Sequence, residues 1–300
     1  MKAWYSIKEQ CAGKYRLLFL WYVYKVFRLK GLKIFLYPIV FVIYLASKNG
    51  RKASQTYRKV LYVYQTQHGI KPTKFSSFGH IFSYAFSFAE KMSALCDKKC
   101  PLRFEVEENE DWTSFQQDIN KGLFLISSHL GNIEALPALP AYFKIKETPT
   151  VNALMEINQN SIFHQFIKEK TTNSRFCLLP ADAFGFVEIM QLYEKISAGE
   201  IILMAADRVS SQNPKNTLSA QMLDKECSLP VGVFRFAKKM DHPTYTLLLL
   251  RTKKDAYRLF VQKIDLQKST DNMAKQYLSF VQKHLLEYPE QWYNFFDFFK

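Results

Sequence analysis

Three observations predict an α/β protein: a mostly parallel sheet flanked by helices, preceded by an N-terminal basic, membrane-associating helical region. Between residues 122 and 205, short apolar strand signals alternate with helix-length signals, the pattern of a parallel sheet covered on both faces. The polar, chemistry-bearing residues follow directly on two of those strands, where ligands gather in open sheets of this kind. Finally, residues 1–74 hold fifteen Lys/Arg against a single acid, Glu9, whereas 75–300 hold 26 of each sign. The whole excess of +14 therefore sits beside the most apolar part of the chain.

The N-terminal part carries two apolar runs, Leu17–Tyr24 and Ile34–Ala46, separated by Lys25, Arg28, Lys30 and Lys33. Trp21, Tyr22, Tyr24, Tyr37 and Tyr44 decorate them. Neither run reaches the roughly 18–20 uninterrupted apolar residues of a spanning helix, and Pro38 interrupts the second. The expectation is an interfacial or re-entrant helical pair, with aromatics at headgroup level and cations facing an anionic membrane surface. A long charged stretch ahead of the first run, and Lys48-Asn49-Gly50-Arg51-Lys52 after the second, disfavour a cleaved signal peptide. The cations interleave with Leu, Ile, Val and Phe rather than lining a polar groove, which argues against nucleic acid.

From Phe75 to Cys96 the spacing of Phe75, Phe78, Phe82, Phe86, Ala89 and Met92 is helical, and His80 within it reads as structural. A strand is predicted over 122–128, and a helix over Asn132–Tyr142 shortened or kinked by Pro137 and Pro140. Val151–Met155 reads as a strand, Ser161–Lys170 as a helix and Phe176–Leu179 as a short strand. Phe184–Ser197 reads as a helix closed by Gly199, and Ile201–Ala205 as the strand that delivers Asp207-Arg208. Val231–Lys239 is predicted helical, Tyr245–Arg251 and Tyr257–Ile264 an antiparallel pair, and Met273–Leu286 the last long helix. Ser210–Thr217 is polar, contains Pro214 and Lys215, and reads as a surface loop that can serve as a lid. The division is 1–74, the basic apolar region, and 75–300, the α/β domain, with no linker between them and 48% hydrophobic residues excluding disorder.

The segment Ser127-Ser128-His129-Leu130-Gly131-Asn132-Ile133-Glu134 follows the apolar run 122–126. On one continuous helix His129 and Glu134 would lie about 140° apart. On a strand–turn–helix corner they can meet: His129 ends the strand, Gly131 permits the tight turn, and Asn132 caps a helix whose first turn carries Glu134. A carboxylate turned back on the imidazole fixes its tautomer and makes it a better base. The pair has no built-in nucleophile and suits activation of a hydroxyl or amine that the substrate brings. No Gly-x-Ser-x-Gly elbow is present, and Ser127 or Ser128 does not replace one. The five cysteines (Cys11, Cys96, Cys100, Cys177, Cys227) are scattered, and Cys96-x-x-x-Cys100 lacks a second pair, so no metal site is expected.

Ser128-His129-Leu130-Gly131-Asn132-Ile133-Glu134 resembles the HxxxxE acyltransferase signature of the lysophospholipid acyltransferase superfamily, in its bacterial lipid A biosynthesis lauroyl acyltransferase-like branch. Ala205-Ala206-Asp207-Arg208, Leu229-Pro230-Val231-Gly232 and Gln291–Phe298 are similar to further stretches of that branch, and the resemblance runs from about Phe19 to the end. Val233 stands where the family often has a second proline. The resemblance implies an acyltransferase of lipid biosynthesis that moves a fatty or polyene acyl group from a thioester to a lipid hydroxyl or amine. An acyl-carrier protein leads as carrier, with CoA as the alternative. It implies His129 as general base oriented by Glu134, backbone N–H groups near Gly131 and Asn132 receiving the oxyanion, and Asp207 and Arg208 contacting substrate. No cofactor beyond the acyl-ACP or acyl-CoA co-substrate is implied, and the place is the cytoplasmic face of a bacterial inner membrane. Arg251 and the Trp292 segment are candidates for lining the site, with packing the stronger reading. The competing functions are an acyl thioester hydrolase and a silent membrane-surface scaffold.

Overall fold

The computed structural model describes residues 14–97, 102–138, 149–155, 176–181, 185–210, 213–253 and 256–300. Three helices open the chain: α1 (Lys14–Ala46), α2 (Lys48–Gln67) and α3 (Ser77–Cys96). Strand β1 (Arg103–Val106), helix α4 (Glu110–Asp118) and strand β2 (Leu123–Ser127) follow, then a 3₁₀ turn over Ile133–Ala138. Next come β3 (Val151–Met155), β4 (Phe176–Pro180), α5 (Phe186–Ser197) and β5 (Ile201–Ala205). The chain continues through β6 (Thr217–Met222), β7 (Lys225–Pro230), α6 (Val231–Met240), β8 (Thr244–Lys253), β9 (Ala256–Lys263) and α7 (Thr270–Glu287).

The main sheet has seven strands in the order β1-β9-β8-β2-β5-β3-β4, parallel at every junction but β8/β9. Both faces of its centre are buried. Phe124, Ile126, Ile202, Leu248 and Leu250 point into a core shared with α5, α6 and α7. Leu123, Leu125, Ile201, Leu203, Leu247 and Leu249 point into a second core shared with α1 and α3. This explains why the central strands are continuous apolar runs rather than alternating ones.

The two N-terminal apolar runs form α1, broken at Arg28 (φ 58°, ψ −171°) within the basic stretch that separates them. One stripe of α1, including Tyr24, Leu29, Leu32, Leu36 and Val40, is buried in the second core. The outward side carries Ile34, Tyr37, Phe41, Val42 and Leu45 to the surface. Leu18–Ala46 is 29 residues, long and apolar enough to cross a membrane, which exceeds either run taken singly. Helix α2, absent from the sequence-based reading, buries Ala53, Ser54, Tyr57, Leu61 and Gln65 along one stripe. Its polar, basic composition hides a burial pattern that depends on where α3 lies.

Two further elements depart from expectation. The β6–β7 hairpin turns through Leu223 (φ 53°) and Asp224 (φ 56°). It lacks the Asn-Gly or Asp-Gly signature of such turns, and Leu223 holds its positive φ because its side chain is buried. The shortened helix expected over Asn132–Tyr142 begins as a six-residue 3₁₀ helix, Ile133–Ala138; residues 139–148, and the helix expected at Ser161–Lys170, lie outside the described residues. The polar stretch Ser210–Thr217 is tied at its C-terminal end: Thr217 opens β6, and Val231 N–H donates to the Asn216 carbonyl at 3.3 Å. Residues 211–212 of that stretch lie outside the described residues.

Candidate active site

The register of two neighbouring strands builds the site. In the β2/β5 pair Ser127 stands opposite Ala205, so the residues two positions beyond each strand, His129 and Asp207, leave the sheet at the same level. Seventy-eight positions of chain separate them, and one ladder brings them together. Ser128 starts the bend: its Oγ accepts the Leu130 N–H at 2.9 Å, a local hydroxyl-to-backbone turn. Ser127 Oγ donates to the Leu247 carbonyl at 2.8 Å. Both serines are therefore engaged in structure.

His129 Nδ1 lies 2.8 Å from Asp207 Oδ1, and the His129 backbone N–H donates to Asp207 Oδ2 at 2.7 Å. Asn294 Nδ2 donates to the same Oδ2 at 2.9 Å. Burial pushes the Asp207 carboxyl up, but the His129 charge and hydrogen bonds, with Arg208 beside them, outweigh burial and hold it below the ordinary carboxylate range. An ionised Asp207 accepts only, so Nδ1 carries the proton and Nε2 presents its lone pair. The His129 side chain is 27% exposed and that of Asp207 1%. The arrangement is a partly exposed imidazole backed by a buried carboxylate.

Arg208 is fixed from the other side. Its Nε donates to Asn294 Oδ1 at 2.9 Å and its Nη2 to the Tyr293 carbonyl at 3.1 Å. Asn294 thus bridges Asp207 and Arg208. The sequence reading took its segment chiefly as packing and did not single out Asn294; the available signal was a carboxamide inside the aromatic run 292–296. The C-terminal segment reaches the site because it pairs with the loop after β2: Leu130 bridges Trp292, and Tyr293 N–H donates to the His129 carbonyl at 2.9 Å.

The Gly131 and Asn132 amides are both engaged by the main chain. Gly131 N–H donates to the Gln291 carbonyl at 2.9 Å and Asn132 N–H to the Leu249 carbonyl at 2.8 Å, so both amides expected at an oxyanion are spent on the main chain. The Asn132 side chain, expected as a helix cap, is buried and donates to the Ser87 carbonyl at 3.0 Å. Gly131 sits at φ +87°, and a Cβ there would meet the Leu249 carbonyl oxygen at 2.3 Å. Both residues serve to seat the loop against β8. Glu134 has its backbone in the 3₁₀ turn, and its side chain lies outside the described residues. Val233, where the family often has proline, is buried in α6.

The other expected positions resolve as packing. His80 is buried between Ser54 Oγ, 3.0 Å from its Nδ1, and the Trp292 carbonyl, 2.7 Å from its Nε2. Burial lowers its pKa to about 4. Arg251 donates to Glu90 Oε2 at 2.7 Å and to Ser83 Oγ at 2.8 Å. Among the described residues no group of three His, Cys, Asp or Glu side chains is placed to hold a metal ion.

The family model for the bacterial lipid A biosynthesis acyltransferases matches residues 65–300, which include β1 to β9, His129, Asp207, Arg208 and Asn294. No curated protein matches the chain.

Proposed function

The chain belongs to the bacterial lipid A biosynthesis acyltransferase family and is an acyltransferase acting on lipid substrates; from that premise we propose that it moves a fatty or polyene acyl group from an acyl-carrier-protein or CoA thioester to a lipid hydroxyl or amine. The observation that carries this reading is the His129–Asp207 pair, a partly exposed imidazole on a buried, ionised carboxylate at the carboxyl ends of β2 and β5.

In this reading the acceptor O–H or N–H gives its proton to His129 Nε2 as the oxygen or nitrogen attacks the thioester carbonyl. Asp207 holds the tautomer and stabilises the imidazolium. The tetrahedral intermediate collapses by breaking the C–S bond, and the imidazolium returns the proton to the leaving thiolate. Arg208, anchored by Asn294 and Tyr293, is our candidate for positive charge near the oxyanion or a phosphate of the carrier or acceptor. Glu134 acts in the same signature as a second carboxylate for His129 or a neighbouring cation. In this reading the acyl thioester is a co-substrate, and the transfer changes no oxidation state.

We assign the protein to the cytoplasmic face of a bacterial inner membrane. The support is α1, with its outward apolar face beside the basic residues of 1–74. Aromatic and aliphatic groups enter the headgroup–acyl boundary while Lys and Arg face anionic lipid.

The test measures carrier-thiol release from acyl-carrier protein and from acyl-CoA, with membrane-reconstituted protein, a total lipid extract as acceptor, and His129→Ala alongside wild type. Wild type should form a new acylated lipid, and His129→Ala should lose it by at least about 10²-fold, the scale of a general base. Thiol release without a lipid product would replace transfer by hydrolysis.

A further inference from the structure

A cavity of about 470 Å³ lies between the middle of α1, the start of α3 and the end of β8. That volume falls within the roughly 300–1,000 Å³ typical of small-molecule sites. Its wall gathers four cations, Lys30, Lys33, Arg251 and Lys253, against one carboxylate, Glu290. Arg251 is neutralised from behind by the buried Glu90. Lys30, Lys33 and Lys253 form no salt bridge among the described residues, and the Lys33 ammonium instead stands 5.4 Å from the centre of the Phe86 ring. Like charges gathered in a cavity repel one another and raise the local concentration of anions.

The remainder of the wall is apolar, with Leu29, Phe82 and Phe86. Lys33 is followed at once by the exposed stretch of α1 that includes Ile34, which is 74% exposed, then Tyr37, Phe41 and Val42. A cationic cavity that opens at the foot of an exposed apolar helix face fits an anionic amphiphile better than a free anion. Its charge meets the lysines, and its chain has an apolar surface on which to continue. Leu29, Lys30 and Lys33 precede the residues matched by the family, whereas the α3, β8 and Glu290 parts of the wall lie within them.

We propose that this cavity binds the anionic headgroup of a membrane phospholipid, with the lipid chain lying along the outward face of α1. Two hydrogen bonds join its wall to the candidate base: Ser83 Oγ lies 3.0 Å from the Tyr293 hydroxyl, and Tyr293 N–H donates to the His129 carbonyl. The bound headgroup therefore stands next to the shell that holds His129. The site is read by binding alone, so it stands or falls separately from the transfer reaction.

The experiment titrates the full detergent-solubilised chain, at about 0.15 M salt where exposed charges are screened within about 8 Å, with three probes. These are dihexanoyl phosphatidic acid and dihexanoyl phosphatidylcholine, both below micelle formation, and inorganic phosphate. Lys30→Gln/Lys33→Gln/Lys253→Gln is compared with Lys48→Gln/Lys52→Gln/Lys59→Gln on α2, which removes the same charge away from the cavity. The replaced lysines are all exposed, so both triples should melt with wild type. Wild type should bind phosphatidic acid saturably and at least tenfold more tightly than phosphatidylcholine or phosphate. The cavity triple should lose at least tenfold and the control triple less than threefold. Equal losses in the two triples would reduce the effect to diffuse surface charge and overturn the site. Phosphate binding as tight as phosphatidic acid would overturn the lipid assignment, and absence of saturable binding would overturn both.

Discussion

Replacing Asp207 by Asn changes one atom's chemistry while keeping the shape of the site, and the geometry fixes the consequence. Asp207 Oδ2 accepts two hydrogen bonds, from the His129 main chain and from Asn294 Nδ2, whereas Oδ1 accepts one, from His129 Nδ1. An asparagine keeps its carbonyl oxygen on the two-donor side, because the opposite flip would set its NH₂ against two donors. Its NH₂ then faces Nδ1. The imidazole answers by moving its proton to Nε2, and the lone pair needed by the acceptor disappears. General-base catalysis is worth about 10²–10⁴-fold, which corresponds to about 2.7–5.4 kcal/mol of barrier. Asp207→Asn should therefore lower kcat by about 10²–10⁴-fold with KM for the thioester little changed. The assay is steady-state formation of the acylated lipid, with a thermal melt to confirm folding. A folded Asp207→Asn within tenfold of wild type would refute Asp207 as the group that sets the tautomer. If Glu134→Gln then lost the activity instead, the orienting role would pass to Glu134. The acid limb has a definite sign: the Asp207 carboxyl is depressed in the folded protein, so its contribution is present above the ordinary carboxylate range and is lost as pH falls through the folded value.

Asn294→Leu leaves Arg208 Nε and Asp207 Oδ2 each short of a partner, and should lower activity about tenfold or more, on the scale of about 1–3 kcal/mol for an unsatisfied buried group; activity equal to wild type would make the bridge incidental. Gly131→Ala forces a side chain onto a left-handed position and into the Leu249 carbonyl, 2.3 Å away. It should cost at least about 2 kcal/mol and be seen as a drop of several degrees in Tm; an unshifted melt would show that the loop relaxes freely. His80 is neutral in the fold, with a pKa lowered from 6.5 to about 4. Its contribution is intact above the unfolded value and is lost as pH falls through the window down to about 4, a span worth about 3 kcal/mol at 1.36 kcal/mol per unit. Chemical denaturation at pH 7 and pH 4.5 should show a smaller acid loss in His80→Gln than in wild type, and equal losses would clear His80.

The apolar runs at 122–128, 151–155 and 201–205 were readable as strands because each is buried on both faces and needs no alternation. Helix α3 was readable because its phenylalanines recur at helical spacing. By contrast, α2 and β1 were not, since their stripes are short or polar and gain meaning only against α3 and β9. The His129 block stood out in local sequence, and Asp207-Arg208 could be placed beside it at the carboxyl ends of the central strands by the rule for strand ends. What the sequence by itself determined, then, were the strands that carry His129 and Asp207 and the concentration of positive charge on an apolar N-terminus. Only the tertiary structure decided which carboxylate meets Nδ1, that Gly131 and Asn132 are spent on the main chain, and that Asn294 joins Asp207 to Arg208. Those relations depend on strand register and on the path of the C-terminal segment, which bring together residues 78 to 160 positions apart. Local periodicity carries no record of such distances.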